Sequence, residues 1–558
     1  MLQTAVEKTI GRILAIGAPF ISLFIVLRTV TDPVNVTKFL ALGVIATALA
    51  GLVALRGLST LWKDSKLELI AATLFIIFST LTIFTTSAPV AQSLYGVYGR
   101  NTGYLTYLFL TFVFLAALLL RDKKNHSKVL YGLMFAGLVN VLYCGWAWQI
   151  GDFLPWSNPY GTILGTFGNP NFIGSFLGIF ISVFFAYLLQ DKTALWIRLI
   201  GAAIIILAIL EILHSNAVQG VVVTAGGTGI VVFYKIRSKF NGNLIPSLYV
   251  GLVAIAGFFA VGGALQKGPL TDLIYKTSVS LRGEYWQAGI NMANSHPLTG
   301  VGMDGYGDWF RRARDTQAMI LPGPNVVTNA AHNVPIDILA YGGWPLFLSY
   351  LAIIILALVA LVKVTLRSKK YDFIFVGTAV GWACYQVQSI ISINQIGLAV
   401  WGWLLSGALI SYEFVTRNDE NKKTSQPKRE AVISAQLIAG LGAVIGLLIA
   451  IPPFNADSKW ATSTSSGDLE AVKKALTSTY MTPTNSSRLI NSVQLFENNK
   501  LYDLALEYAK IAVANNPDYF DGWRVLYAIT NSTPADKQAA KENMIRLDPL
   551  NTEWKNLP

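Results

Sequence analysis

Residues 194–213 read ALWIRLIGAAIIILAILEIL, twenty residues with two charges, Arg198 and Glu211. A run of about 20 apolar residues is what an α-helix needs to cross the hydrocarbon core of a bilayer. Comparable runs lie near 13–30, 37–55, 68–86, 103–120, 129–150, 171–190, 217–234, 246–265, 335–363, 372–393, 396–415 and 431–451. The chain is therefore expected to be all-α, a polytopic transmembrane helical bundle of about thirteen spans. Its composition agrees, because the 558 residues are 53% hydrophobic and 13% charged, whereas soluble proteins carry roughly 25% charged residues. That excludes a water-soluble globular enzyme.

The few charges are clustered between spans. Arg56, Lys63 and Lys66 form one basic group, followed by Arg121, Lys123 and Lys124, then Lys235, Arg237 and Lys239, then Arg367, Lys369 and Lys370, and finally Arg417, Lys422, Lys423, Lys428 and Arg429. Counted through the spans, these groups share one side, which puts them and the N-terminus in the cytoplasm. The net charge of +12 is accounted for in this way, and no nucleic-acid partner is expected. The N-terminal stretch lacks a small-residue cleavage site, so the first span reads as a retained anchor. Cys144 and Cys384, the only two cysteines, lie in apolar runs and supply no metal cluster.

The opposite, outer side holds 87–102, 151–170, the link from His214 to Gln219, a long loop over about 266–334, and everything after about residue 452. Functional residues concentrate on loops held out by a rigid scaffold, so chemistry is sought there. The expected division is a membrane domain over 1–452 and an extracytoplasmic helical domain over 453–558. In the latter, Leu501, Ala505, Leu506 and Ala509 recur at helical spacing, and Asn516-Pro517-Asp518 with Trp523 is echoed by Asp548-Pro549 with Trp554, about 32 residues on. This resembles tetratricopeptide helix pairs, which implies a protein partner for the tail or a stabilising cap on the membrane domain.

His332 precedes Asn333, a good N-cap, with Pro335 in the first turn of the following span. Helix N-termini favour anions, and a neutral imidazole there can accept a hydroxyl proton. The competing reading of His332 is a cap or a headgroup contact. Arg282 is either paired on the surface with Glu284 or a planar fork for phosphate; Arg100 is a second phosphate ligand or a residue snorkelling to headgroups. Asn169 and Asn171 either contact sugar hydroxyls or close a turn with Pro170. The Gly300-Val301-Gly302 segment implies a tight backbone path and no nucleotide site, since it follows no strand. Asp304, Asp308 and Asp315 match no calcium or magnesium loop and read as a solvated loop.

The order Arg282 to Trp286, His296-Pro297-Leu298-Thr299-Gly300-Val301-Gly302 and Ala331-His332-Asn333, with Gly165 to Phe172 and Tyr98 to Gly103, resembles the O-antigen ligase and polymerase superfamily, which includes bacterial protein O-oligosaccharyltransferases. The resemblance covers most of residues 90–410. It implies a GT-C-like membrane glycosyltransferase that needs no metal or other cofactor and transfers a glycan from undecaprenyl diphosphate to an acceptor glycan, lipid or protein. It further implies catalytic roles for His332 and Arg282, and substrate contacts at Arg100, Asn169, Asn171, Gln219 and Asn333. Gln219 stands in a segment, His214 to Gly220, that departs from the ligase pattern of an arginine beside a serine. The competing classes are a polytopic transporter, favoured by Glu211, Gln386 and Gln388 within spans but lacking an evident inverted repeat, and a non-catalytic scaffold.

Overall fold

The computed structural model describes residues 5–274, 277–418 and 432–558. Within them all regular structure is helical, with only an isolated bridge between Thr479 and Thr482 outside helices. Eleven helices among the described residues are long and apolar enough to cross a membrane, and the chain is a polytopic membrane helical protein. Two of the expected thirteen spans fall short. The one expected at 13–30 is a helix at Ala5–Leu23 that carries Glu7, Lys8 and Arg12 in its first turns. The one expected at 103–120 is the 14-residue helix Tyr104–Ala117, which stops before Arg121 meets Asp64 at 3.3 Å. Apolarity placed these runs, but polar contacts decide where the helices end. Lys422, Lys423, Lys428 and Arg429 lie outside the described residues.

The chain divides into two compact units. The first comprises Met1–Thr73, Leu108–Ile274 and Leu351–Ala450; the second comprises Leu74–Tyr107, Tyr275–Tyr350 and Ile451–Pro558. The division near residue 450 falls inside the helix Val432–Ser466.

In the first unit, the helix Pro170–Leu188 packs along both Val218–Lys239 and Phe373–Ile391. Small residues allow its closest approach. A Cβ added at Gly220 would stand 2.8 Å from the Gly174 backbone, and one at Gly178 would stand 3.1 Å from the Gly220 carbonyl. Lipid-embedded helices associate through such backbone-to-backbone contacts because burial of apolar surface no longer drives them together. The same unit buries Lys38 completely. Its ammonium donates to the carbonyls of Ile21 (3.1 Å), Ser22 (2.5 Å) and Phe24 (3.2 Å), where the Ala5–Leu23 helix ends and its last carbonyls lack intrahelical partners.

The second unit turns the expected 266–334 loop into structure. Thr277–Ser295 is a 19-residue helix, followed by the short helices Tyr306–Ala313 and Thr316–Ile320. The unit also holds two helix pairs, Ser486–Asn498 with Tyr502–Asn515 and Phe520–Ala528 with Pro534–Leu547. They close on Val493, Phe496, Ala505, Ala509 and Leu526. Asn516 and Asp548 end the second helix of each pair and are fully buried.

The Lys38→Met variant keeps the length of the side chain but leaves the Ile21 carbonyl without its donor, and leaves the Ser22 and Phe24 carbonyls with only the hydroxyls of Thr166 (2.9 Å) and Thr37 (3.4 Å). Each buried polar group left unsatisfied costs about 1–3 kcal/mol, so the midpoint of thermal unfolding in detergent is expected to fall. An unchanged midpoint would mean that this cap does not hold the helix end.

Candidate functional site

The second unit is organised by a break in one helix. Val334–Arg367 loses helical geometry at Gly342 and Gly343, the latter at φ +65°, with Pro345 just beyond. A break of this kind strands backbone carbonyls that water cannot reach inside a membrane. Here the carbonyls of Ala340 and Tyr341 accept from the Val301 and Gly302 amides at 2.9 and 3.0 Å, and Trp344 N donates to the Pro297 carbonyl at 2.9 Å. The His296 to Gly302 segment is therefore the patch that repairs the break. Its tight path has a direct cause, since a Cβ at Gly300 would meet the Ala340 carbonyl at 2.4 Å.

Nine residues before the break, Asn333 caps the helix, with its Oδ1 accepting from Ile336 N at 3.1 Å. His332 stands just before this cap, half-buried, with a left-handed backbone at φ +55° that is uncommon outside glycine. Asp337 holds that conformation: its Oδ1 accepts from Ala331 N at 2.7 Å and its own amide donates to the Asn333 carbonyl. The imidazole lies 5.8 Å from the Tyr285 ring, centroid to centroid. Burial, and then the positive charges of Arg282 and Arg100, push its pKa from 6.5 down to about 4. His332 is thus a neutral imidazole at physiological pH, with both arginines within electrostatic reach.

The two arginines differ in their surroundings. Arg100 is buried; its Nη1 donates to the carbonyl and the Oδ1 of Asn329 at 2.6 and 2.9 Å. Burial disfavours its charge, but Asp304, Tyr341 and Asp337 outweigh that and raise its pKa. Arg282 lies one turn before Tyr285 on Thr277–Ser295, half-buried, and no ion pair or hydrogen bond holds it among the described residues; the surface pair with Glu284 does not form. Burial lowers its pKa, yet a guanidinium stays charged at any working pH. The geometry therefore joins one charge-balanced arginine, one arginine open to an anion, and one neutral imidazole.

The remaining candidates lie in the first unit, where they contact one another. Asn169 caps Pro170–Leu188 by accepting from Asn171 N at 2.9 Å and donates to the Tyr160 hydroxyl at 3.0 Å. Gln219, buried, donates to the Asn171 carbonyl at 2.5 Å. For Asn169 the structure shows the turn-closing geometry.

The solvated-loop expectation is corrected for two of the three acids, Asp304 and Asp308. Asp304 is buried, accepting from Val97 N at 2.7 Å and the Tyr341 hydroxyl at 3.2 Å. Asp308 accepts from Gln92 at 2.9 Å and Asn516 at 3.1 Å, and burial pushes its pKa up to about 6. Asp315 is exposed, as expected of a solvated loop, and accepts from Asn291 at 2.7 Å. The chain folds back on Asp304 and Asp308, which spacing along the sequence does not reveal. Among the described residues no three His, Cys, Asp or Glu side chains group to hold a metal ion. Sequence reasoning passed over Asp337, Asn329 and Tyr285; for Asp337 the signal was an acid in the first turn of an apolar span.

The electrostatic arrangement has a direct consequence. In Arg282→Gln the His332 pKa is expected to rise from about 4 toward 6.5, as read by NMR titration of the four histidines assigned by single substitution. An unmoved His332 titration would show that the Arg282 charge does not reach the imidazole.

Residues 162–351 match the family described as O-Antigen ligase. The range includes Asn169, Asn171, Gln219, Arg282, His332 and Asn333 and leaves out Arg100. The chain is also 25% identical over 240 residues to the exopolysaccharide production protein ExoQ of Rhizobium meliloti (strain 1021), across 42% of this chain and 51% of that protein. The chain thus spans about half the length of this curated relative. Over residues 162–351, which hold Arg282 and His332, the chain is similar to the O-antigen ligase family.

Proposed function

We propose that the protein is a membrane glycosyltransferase. It takes a glycan from undecaprenyl diphosphate and passes it to an acceptor hydroxyl, on a glycan, lipid or protein, at the outer face of the cytoplasmic membrane. The observation that carries this reading is the neutral His332 imidazole at the head of an apolar helix, beside an arginine with no protein partner among the described residues. In the proposed step the acceptor oxygen gives its proton to His332 and attacks the anomeric carbon. The bond from that carbon to the diphosphate oxygen breaks, and the leaving diphosphate keeps the electron pair. Arg282 stabilises the negative charge that develops there, with Arg100 adding to the local field. The lipid carrier supplies an activated sugar, so the step needs no nucleotide and, in this reading, no metal. The basic groups between spans support a cytoplasmic N-terminus and an extracytoplasmic tail.

The second reading is a transporter. Glu211 favours it: buried in the helix Leu195–His214, its carboxyl oxygens find no hydrogen-bond partner among the described residues.

Purified protein supplied with a defined undecaprenyl-linked oligosaccharide and a panel of acceptors separates the two. Loss of the base in His332→Ala is expected to lower transfer by about 10²- to 10⁴-fold, and Arg282→Ala by about 10²- to 10³-fold. Transfer that is intact in His332→Ala at equal protein level, with solute uptake lost instead, would replace this reading by transport.

The pH profile has a definite sign. The base works while neutral, so kcat/KM is expected to hold above the free-protein pKa of about 4 and fall as pH drops through it. A bound diphosphate offsets the arginine charges and raises the imidazole's basicity, so the acid limb of kcat should lie at higher pH than that of kcat/KM. Coincident limbs would argue against an anion bound beside His332. Transfer is also expected to survive EDTA, whereas loss that magnesium or manganese restores would reject the metal-free step.

A further inference from the structure

We propose that Asp518 and Asp548, in the C-terminal helix pairs, are positioning residues that hold Arg282 and His332 in register. The inference rests on the transfer reaction proposed above and deepens it. All the groups involved belong to the second unit. Three arginines at the end of the helix Tyr306–Ala313 reach these two carboxylates. Arg314 Nη2 and Arg311 Nη1 donate to the two oxygens of Asp548 at 2.6 and 3.0 Å, and Arg312 Nη1 donates to Asp518 at 3.1 Å. The side chains of Arg314 and Asp548 are both 0% exposed, which separates this pair from surface ion pairs of little consequence. Each carboxylate has a second anchor. Trp554 Nε1 donates to Asp548 at 3.0 Å, and Arg546 donates to Asp518 at 2.9 Å, with Ser87 on its other oxygen.

The same short helix touches the site through other side chains. Tyr306 donates from its hydroxyl to the Tyr285 carbonyl at 2.5 Å, and the Phe310 ring lies 5.9 Å from that of Tyr285. Tyr285 in turn packs against His332, one turn from Arg282. Ser87 and Gln92, which meet Asp518 and Asp308, lead into Tyr95 and Val97, next to Arg100. A break between carboxylate and arginine leaves a buried charge uncompensated and frees this helix to shift. Small shifts of reacting groups are costly, about 10²-fold for roughly 1 Å. Asp-Pro and Asn-Pro-Asp, which end the helix pairs, thus act on the site through one intervening helix, and the tail serves as part of its frame.

The test compares wild type, Asp548→Asn and Asp518→Asn in the full chain, at temperatures below each variant's unfolding midpoint. Asp518, less deeply buried than Asp548, provides the variant that folds if Asp548→Asn does not. The expected result is a fall in kcat of about tenfold or more with a smaller change in donor KM, together with a rise of about 1 in the His332 pKa read by NMR as Arg282 withdraws. Loss of folded protein alone would lower activity without moving that titration. Asp548→Glu, which restores a carboxylate, is expected to recover part of both effects. A His332 titration identical to wild type in both Asn variants would overturn the proposal, whatever the activity. The NMR reading needs no turnover, so a moved titration in a protein that transfers no glycan would sustain the positioning role and reject the transferase reading.

Discussion

The backbone of Val334–Arg367 cannot carry its hydrogen bonds through Gly342 and Gly343, and in a membrane each group released must find another partner. The second unit is built around this requirement. The amides of Val301 and Gly302 meet the released carbonyls, which fixes the segment from His296 to Gly302 against the helix. Asp304 follows directly and ties Val97 and Tyr341 together, so the chain leading to Arg100 is set by the same repair. Ahead of the break, the Asn333 cap and the Asp337 carboxylate hold His332 in a conformation that a free chain would rarely adopt.

Charge is distributed unevenly over this frame, and the unevenness makes it suited to chemistry. Asp304 and Asp337 balance Arg100, which is spent on Asn329, while Arg282 has no such partner among the described residues. Burial first, and then a positive field with no fixed counter-charge at Arg282, keep the imidazole neutral, and that field leaves a place for an anionic ligand. Preorganised cations of this kind act without moving at the moment of reaction. A diphosphate entering such a field would compensate Arg282 and strengthen His332 as a base in the same event.

Much of the fold was legible because its cause is local. Apolar runs of about 20 residues can do little in a lipid bilayer except form helices, and the structure places helices at nearly all of them. The misplaced ends lie at Leu23, beside carbonyls that accept from Lys38, and at Ala117, four residues before Arg121 meets Asp64; these partners lie elsewhere in the chain. The position of His332 at the head of a helix was legible for the same reason, from Asn333 and Pro335. Less accessible was the helix Thr277–Ser295, which mixes polar residues into its turns and gives no apolar run to detect.

The sequence by itself determined the class of protein, the sites of the spans and the residue types available for chemistry, because hydropathy and helix capping act over a few neighbouring residues. Only the tertiary structure decided which charges meet. Arg100, Arg282 and His332 are separated by 182 and 50 residues in the chain, and their mutual influence depends on a broken helix and the segment that mends it. The same holds for Asp518 and Asp548, whose partners Arg312 and Arg314 lie more than 200 residues away. Electrostatic coupling depends on distance in space, and no local pattern encodes that distance.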